Sequence, residues 1–260
     1  MAGKSISKIQ NVFGRIKAFR NWYTLIWPIN RLLPESRVIK VSGGYGIFVR
    51  SIFGPDYVVA LEMFGRDDYG LNRIKIHDFA PIIVDVGANI GAFTVLAASL
   101  YKNAKIFSFE PDKNNSEILK GNINRNHLEG RVVVSNSGVD KEGGEKVFHI
   151  NKREYAHSLL PFAGKDEEAG QIRIHCITIA EIIMKEKISK IDILKLDIEG
   201  SEYEVLFGLP DECYQKIKNI VLEIHDHPVF SREKLIDFLT SKGYRVFQSG
   251  KNKTVYSALK

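Results

Sequence analysis

Apolar and polar positions along the 260-residue chain change period several times, and each change marks an element. From Ser5 to about Ile26 the residues Ile6, Ile9, Phe13, Ile16, Phe19 and Tyr23 recur at intervals of three and four, with basic residues mostly between them. That is the stripe of an amphipathic helix. Pro28 and Pro34 close the segment. Arg37 to Val41, Gly46 to Arg50 and Asp56 to Phe64 then alternate as short strands do, separated by Gly-Gly and Gly-Pro turns.

At Pro81 the pattern becomes that of an α/β domain. Ile82 to Val86 is a β-branched run suited to a strand buried on both faces. Gly87-Ala88-Asn89-Ile90-Gly91 is a glycine-bounded turn, and Asn89 to Tyr101 reads as a helix. Further strands are predicted at 105–109, 131–135, 146–150, 172–177, 191–196 and 218–224, with helices over 113–127 and 231–242. Strands at 244–247 and 254–259 form a closing hairpin, expected to add an antiparallel edge to the sheet. The charge- and glycine-rich stretch before 172 reads as a loop, either functional or, over 163–171, disordered. Three regions follow: a basic helical extension over 1–35, a small β preface over 36–80 folding over the site, and a main domain over 81–260.

Composition changes this picture in one respect. The net charge of +6 comes from residues 1–34, which hold six basic side chains and no acidic one, leaving 31 basic against 31 acidic elsewhere. A folded domain balanced in this way offers no domain-wide face for nucleic acid. With Trp22 and Trp27, the basic helix suits a peripheral membrane contact, self-association, or packing on the core. Cys176 and Cys213 have no neighbouring Cys or His at ligand spacing, so neither a disulfide framework nor a zinc site is expected. No stretch approaches the roughly 20 apolar residues of a membrane span, and the N-terminus does not read as a signal peptide. The expected location is cytoplasmic, with a peripheral membrane contact as the alternative.

The candidate chemistry lies at the ends of the predicted strands. The turn from Gly87 to Gly91 sits where open α/β sheets bind ligands, and Glu110 lies at the end of the next strand, placed to accept hydrogen bonds from ribose hydroxyls. Together they select an adenosine-containing cofactor. Asn89 stands where a dinucleotide loop needs its second glycine, which demotes a nicotinamide cofactor; S-adenosylmethionine, which has no phosphate, fits better. Leu194-Lys195-Leu196 runs into Asp197-Ile198-Glu199-Gly200-Ser201-Glu202, with Asp197 nearest the strand end. The strand at 218–224 brings Glu223, His225 and His227 to the same edge. His225 suits a general base. The two histidines with Asp197 and Glu223 could instead hold a divalent metal, or bond the loop backbone; no metal site is assigned.

Val84-Asp85-Val86-Gly87-Ala88-Asn89-Ile90-Gly91, Phe109-Glu110-Pro111-Asp112 and Leu194 through Glu202, in this order, resemble the FkbM family of S-adenosylmethionine-dependent methyltransferases. The likeness covers about residues 60–250. Glu62 to Tyr69, His157-Ser158-Leu159 and Glu223-Ile224-His225 also resemble family positions. The resemblance implies a class I methyltransferase fold, Rossmann-like, with a seven-stranded, mostly parallel sheet flanked by helices. It also implies methylation of a hydroxyl on a sugar, glycan or small natural product. Carried over, Asp85, Gly87, Ala88, Asn89 and Gly91 would hold the methionine tail and Glu110 with Pro111 the ribose. Ser137 would face adenine, Tyr69 would touch the cofactor from the preface, and Asp197 would lie near the methyl group. His225, Asp197 or Glu199 would serve as base. Asn136-Ser137-Gly138-Val139 departs from the more usual Asn-Ala-Val, and the extended basic N-terminus is not a family hallmark. The rival readings are a nucleic-acid methyltransferase, whose Asn/Asp-Pro-Pro-aromatic motif is replaced here by Asp197-Ile198-Glu199-Gly200, and a non-catalytic binding protein.

Overall fold

A computed structural model describes residues 19–20, 37–52, 54–151, 157–160, 168–249 and 253–260. The preface begins with an antiparallel ribbon, β1 (Val38–Lys40) and β2 (Gly46–Phe48). Phe19 is buried and bridges Val41, and the Arg20 amide donates to the Lys40 carbonyl at 2.7 Å. The helix expected over Ser5 to Ile26 therefore does not run through Phe19; the rest of it lies outside the described residues.

The stretch from Asp56 to Phe64, expected as strand, is helical. Helix α1 (Pro55–Leu61) starts with Pro55 in its first turn beside Asp56, and a wider π turn over Glu62–Arg66 continues it. Asp56 is buried and accepts from Arg50 at 2.7 Å, anchoring the helix to the ribbon. Asp67, in the left-handed region, ends the turn, and its carboxylate takes the Leu71 amide at 2.8 Å. The strap formed by α1 and this turn carries Glu62, Asp68 and Tyr69 over the edge of the main sheet.

The main domain runs β3 (Ile82–Val86), α2 (Ala92–Leu100), β4 (Lys105–Phe109), α3 (Lys113–Arg125), β5 (Val132–Ser135), β6 (Gly138–Val139), β7 (Gly144–Asn151), β8 (Glu168–Ile177) and α4 (Ile179–Lys185). It continues with β9 (Ile193–Leu196), α5 (Glu202–Gly208), α6 (Asp211–Lys216), β10 (Asn219–Glu223), α7 (Arg232–Ser241), β11 (Arg245–Gln248) and β12 (Val255–Leu259). Seven strands form one sheet in the order β11-β12-β10-β9-β3-β4-β5, parallel throughout except for β12. The closing hairpin does not simply add an antiparallel edge: β12 inserts between β10 and β11, so the antiparallel strand is second from the edge.

Successive β3 residues face opposite sides of the sheet. Ile83 joins the apolar cluster under the strap and α2, whereas Val84 and Val86 join the cluster built with α4 to α7. Both faces are covered, which is why the strand reads as an unbroken apolar run. From β3 the chain proceeds outward through β4 and β5, then returns to lay β9 on the other side of β3. This reversal opens a crevice at the carboxyl ends of β3 and β9.

A second, three-stranded sheet, β6-β8-β7, packs its own small core of Phe148, Ile174 and Cys176. Strand β8 begins at Glu168, so 168–171 extend a strand where a loop or disorder was expected; 163–167 lie outside the described residues. Cys176 and Cys213 are buried free thiols. Among the described residues no helix is long and apolar enough to cross a membrane.

Candidate active site

The crevice is built first by backbone. Gly87 has φ +77°, and a Cβ there would stand 1.8 Å from the Asp197 carbonyl oxygen. The Gly87 and Ala88 amides both donate to the Phe109 carbonyl at 3.0 Å, drawing the loop across the end of β4. Asn89 also has positive φ, and α2 begins only at Ala92, after Gly91 in the left-handed region. At Gly91 a Cβ would meet Leu119 Cδ1 at 2.4 Å, so this glycine lets α2 pack on α3 rather than shaping the ligand wall.

Glu110 closes the far side of the loop. Its Oε2 accepts the Asn89 amide at 2.8 Å and its Oε1 the Asp112 amide at 2.9 Å. Burial pushes its pKa up to about 7 against the pull of those two amides. Each carboxylate oxygen has a second acceptor site, so a ribose diol can still be taken. A slot beside it is lined by Gly87, Asn89, Glu110, Pro111, Gly138 and Ile198, and roofed from the second sheet by Phe148, Leu159 and Ile174. A cradle that a Cβ would fill, a buried acceptor bonded to the loop amide and a slot with an apolar roof together fit an adenosyl cofactor.

At the centre of the crevice is Lys195, in a strand whose four residues are all buried. Its Nζ donates to the Gly87 carbonyl at 2.6 Å and lies 3.4 Å from both Asp85 Oδ1 and Asp197 Oδ2. Asp85 is fully buried beneath the loop, where its Oδ2 also accepts the Thr94 hydroxyl at 2.5 Å. The Tyr69 hydroxyl reaches down from the strap to donate to Asp197 Oδ2 at 2.8 Å. Burial works to raise the Asp197 pKa, but Lys195, His225 and the Tyr69 hydrogen bond prevail and hold it below the usual carboxylate range.

The loop after β9 is organised by Glu202. Fully buried, it accepts the Ile198 amide through Oε1 at 2.8 Å and the Gly200 amide through Oε2 at 3.0 Å, and its Oε1 lies 3.0 Å from His225 Nδ1. Glu199 takes a positive φ, and its Oε2 lies 3.4 Å from His225 Nε2. Burial opposes a charge on His225, yet Glu202, Glu199 and Asp197 lift its pKa well above the ordinary histidine value. Burial, set partly against His225, pushes Glu199 up to about 8. Donor atoms of Asp197, Glu223 and His225 come within 4.8 Å of one another, and the imidazole turns its two nitrogens toward carboxylates, Nδ1 to Glu202 and Nε2 to Glu199. His227 turns away: its Nδ1 accepts the Val229 and Phe230 amides, and its Nε2 meets Glu204 at 2.8 Å.

A cavity of about 570 Å³ opens beside the loop, walled by Glu62, Tyr69, Asp197, Glu199, Glu223 and His225, with Val58, Met63 and Phe93 among its apolar lining. Burial, then Asp68 and Glu223, push Glu62 up to about 7. The structure thus gathers Gly87, Ala88, Asn89, Glu110, Pro111, Asp197, Glu199 and His225 around one crevice. Tyr69 faces this cavity rather than the slot, and Asp85 and Gly91 support the loop from behind. Ser137 turns its hydroxyl to Ser135 at 2.9 Å, while its neighbour Gly138 lines the slot. Sequence reasoning missed the hub role of Lys195 and the roof of Phe148 and Ile174. A lysine inside an apolar strand was the available signal for the first.

Residues 85–246 match the profile of the methyltransferase FkbM domain. Methyltransferase 1 of Beauveria bassiana is 27% identical over 195 residues, 66% of this chain and 77% of that protein. The 31-O-demethyl-FK506 methyltransferase FkbM of Streptomyces tacrolimicus is 27% identical over 177 residues, 56% of this chain and 65% of that one. The crystal structure of methyltransferase FkbM from Methylobacillus flagellatus superposes with a TM-score of 0.51 at 17% identity, covering 72% of this chain and 45% of that one. That last likeness is one of fold.

Proposed function

Because the chain belongs to the FkbM family of methyltransferases, we propose that it moves the methyl group of S-adenosylmethionine onto a hydroxyl oxygen of a sugar, glycan or small natural product. The observation that carries the acceptor side is the cavity of about 570 Å³, which extends from Gly87, Ala88 and Asn89 on the cofactor side to Asp197, Glu199 and His225, so that methyl donor and acceptor would meet in one space. Its carboxylates disfavour a phosphate backbone. The relative from Streptomyces is named as a methyltransferase of 31-O-demethyl-FK506.

In this reading Gly87, Ala88 and Asn89 hold the methionine tail, with Asp85 and Gly91 fixing the loop beneath it. Glu110 takes the ribose hydroxyls, Pro111 and Gly138 flank the adenine beside Ser137, and Asp197 lies by the methyl group, with Tyr69 steadying it. The sulfonium supplies an already activated methyl, so the protein must align the acceptor, accept a proton and exclude water. With the methyl on the acceptor oxygen and S-adenosylhomocysteine as the other product, the hydroxyl proton would pass to Glu199. A carboxyl with a pKa of about 8 is matched to that task near neutral pH. His225, 3.4 Å away, shares the charge, so the two titrate as a pair. Asp197 stays ionised throughout.

Calorimetry with S-adenosylmethionine and S-adenosylhomocysteine tests the cofactor half. Saturable binding with Kd on the order of micromolar is expected; no heat from either ligand at millimolar concentration would remove the reading.

A further inference from the structure

We propose that Lys195 is a positioning residue that joins the two halves of the site, pinning the Gly87 carbonyl on the cofactor side while orienting the Asp197 carboxylate on the acceptor side. The inference rests on the reading of Gly87 and Asp197 as the methyl-donor site. Its starting point is a cost: a lysine 3% exposed inside a parallel strand must find oxygen partners for its ammonium. Lys195 has three within reach: its Nζ donates to Gly87 O at 2.6 Å, and Asp85 Oδ1 and Asp197 Oδ2 stand at ion-pair distance, 3.4 Å each. The rings of Tyr69 and Phe93 lie 5.9 Å from Nζ on the open side.

Neutralising Asp85 would account for a buried cation, but not for where this one sits. Its shortest contact is with the loop carbonyl. Its third partner, Asp197, has a side chain 25% exposed, so this end of the ammonium's contacts borders the cavity and not the core. Both Lys195 and the Tyr69 hydroxyl approach the same oxygen, Oδ2. The carboxylate is thereby held through one oxygen from two sides, the strap and β9. Asp197 also faces Glu62 from the strap, Glu199 on its own loop, Glu223 and His225 from the β10 end, and Asp85 from β3. Without Lys195 the carboxylates in that list outnumber the one remaining cation, His225.

Two variants decide the matter. Lys195→Met alone strands Asp85, so Asp85→Asn/Lys195→Met removes both members of the buried pair. Lys195→Gln keeps one N–H for the Gly87 carbonyl without the charge. Near-ultraviolet circular dichroism checks the fold. The Asp197 carboxyl is followed by carbon-13 NMR, assigned with Asp197→Asn, and S-adenosylhomocysteine affinity by calorimetry at pH 7. The double variant is expected to raise the Asp197 titration by at least about one pH unit and to weaken S-adenosylhomocysteine about tenfold. Lys195→Gln should raise the titration equally and lose less affinity, and it decides the question if the double variant does not fold. An Asp197 titration that stays at its wild-type position in the folded variants would overturn the proposal. So would recovery of wild-type affinity in the double variant, since Lys195 would then be only the counter-ion of Asp85. Failure of the wild-type protein to bind S-adenosylhomocysteine would instead count against the proposed function.

Discussion

The Cβ that Gly87 lacks would stand 1.8 Å from the Asp197 carbonyl oxygen, so the ends of β3 and β9 meet backbone to backbone. That contact sets the cofactor loop and the strand-end carboxylate side by side, and it makes Gly87 the least replaceable residue of the loop. Gly87→Ala combines this clash with a φ of +77° that an alanine resists. The expected outcome is a loss of about 1–3 kcal/mol in stability, read by denaturant unfolding, with at least about a tenfold loss of cofactor affinity. Wild-type affinity in the variant would remove the loop from the binding site.

Glu110 gives a pH signature to cofactor binding. Its carboxyl is raised to about 7 by burial, and only the ionised form accepts hydrogen bonds from both ribose hydroxyls. Bound ribose stabilises the ionised form and lowers this pKa. Affinity for S-adenosylhomocysteine should therefore increase as pH rises from about 6 to 8, and Glu110→Gln should flatten that dependence. Calorimetry across the range checks both.

The ligand-free fold should respond to pH in the opposite sense. Glu62 and Glu110 are raised to about 7 and Glu199 to about 8, while in the unfolded chain they ionise near the ordinary glutamate value. Between those limits the folded state binds more protons than the unfolded one, so stability falls as pH rises. The raised pKa of His225 acts in the same direction. The melting temperature of the free protein should decline from about pH 5.5 to 8.5, and saturating cofactor should reduce the contribution of Glu110. A flat profile would show that these carboxyls are ordinary.

Much of this arrangement is legible in the sequence because a strand buried on both faces leaves an unbroken apolar run. Ile82 to Val86 and Ile193 to Leu196 stand out for that reason, and the chemistry clusters where each run stops. The strap is different. Pro55 through Leu61 is rich in aromatic and β-branched side chains, which favours a strand reading, while Pro55 and Asp56 carry the helix-start signals that prevail. The insertion of β12 between β10 and β11 leaves no mark in periodicity, because either edge order buries the same faces. Nor does local pattern show that β9 returns beside β3, and that neighbour relation alone brings Lys195 within reach of Gly87 and Asp85.

For the acid–base pair, Glu199→Gln and His225→Ala should each lower turnover by about 10²–10⁴-fold, with cofactor affinity within about twofold of wild type. The wild-type rate should climb toward pH 8 as Glu199 ionises. A single-turnover pH profile with an identified acceptor checks this. Full turnover in Glu199→Gln would move the base elsewhere.

The most direct test of the whole account is transfer of an isotopically labelled methyl group from S-adenosylmethionine by the purified full chain, offered small-molecule, glycan and nucleic-acid fractions in parallel and read by mass spectrometry. The account predicts the label on an oxygen of a small or glycan acceptor, and its loss in Asp197→Asn. Label on a nucleic-acid base, or a chain that binds the cofactor and transfers its methyl group to none of the fractions, would contradict it.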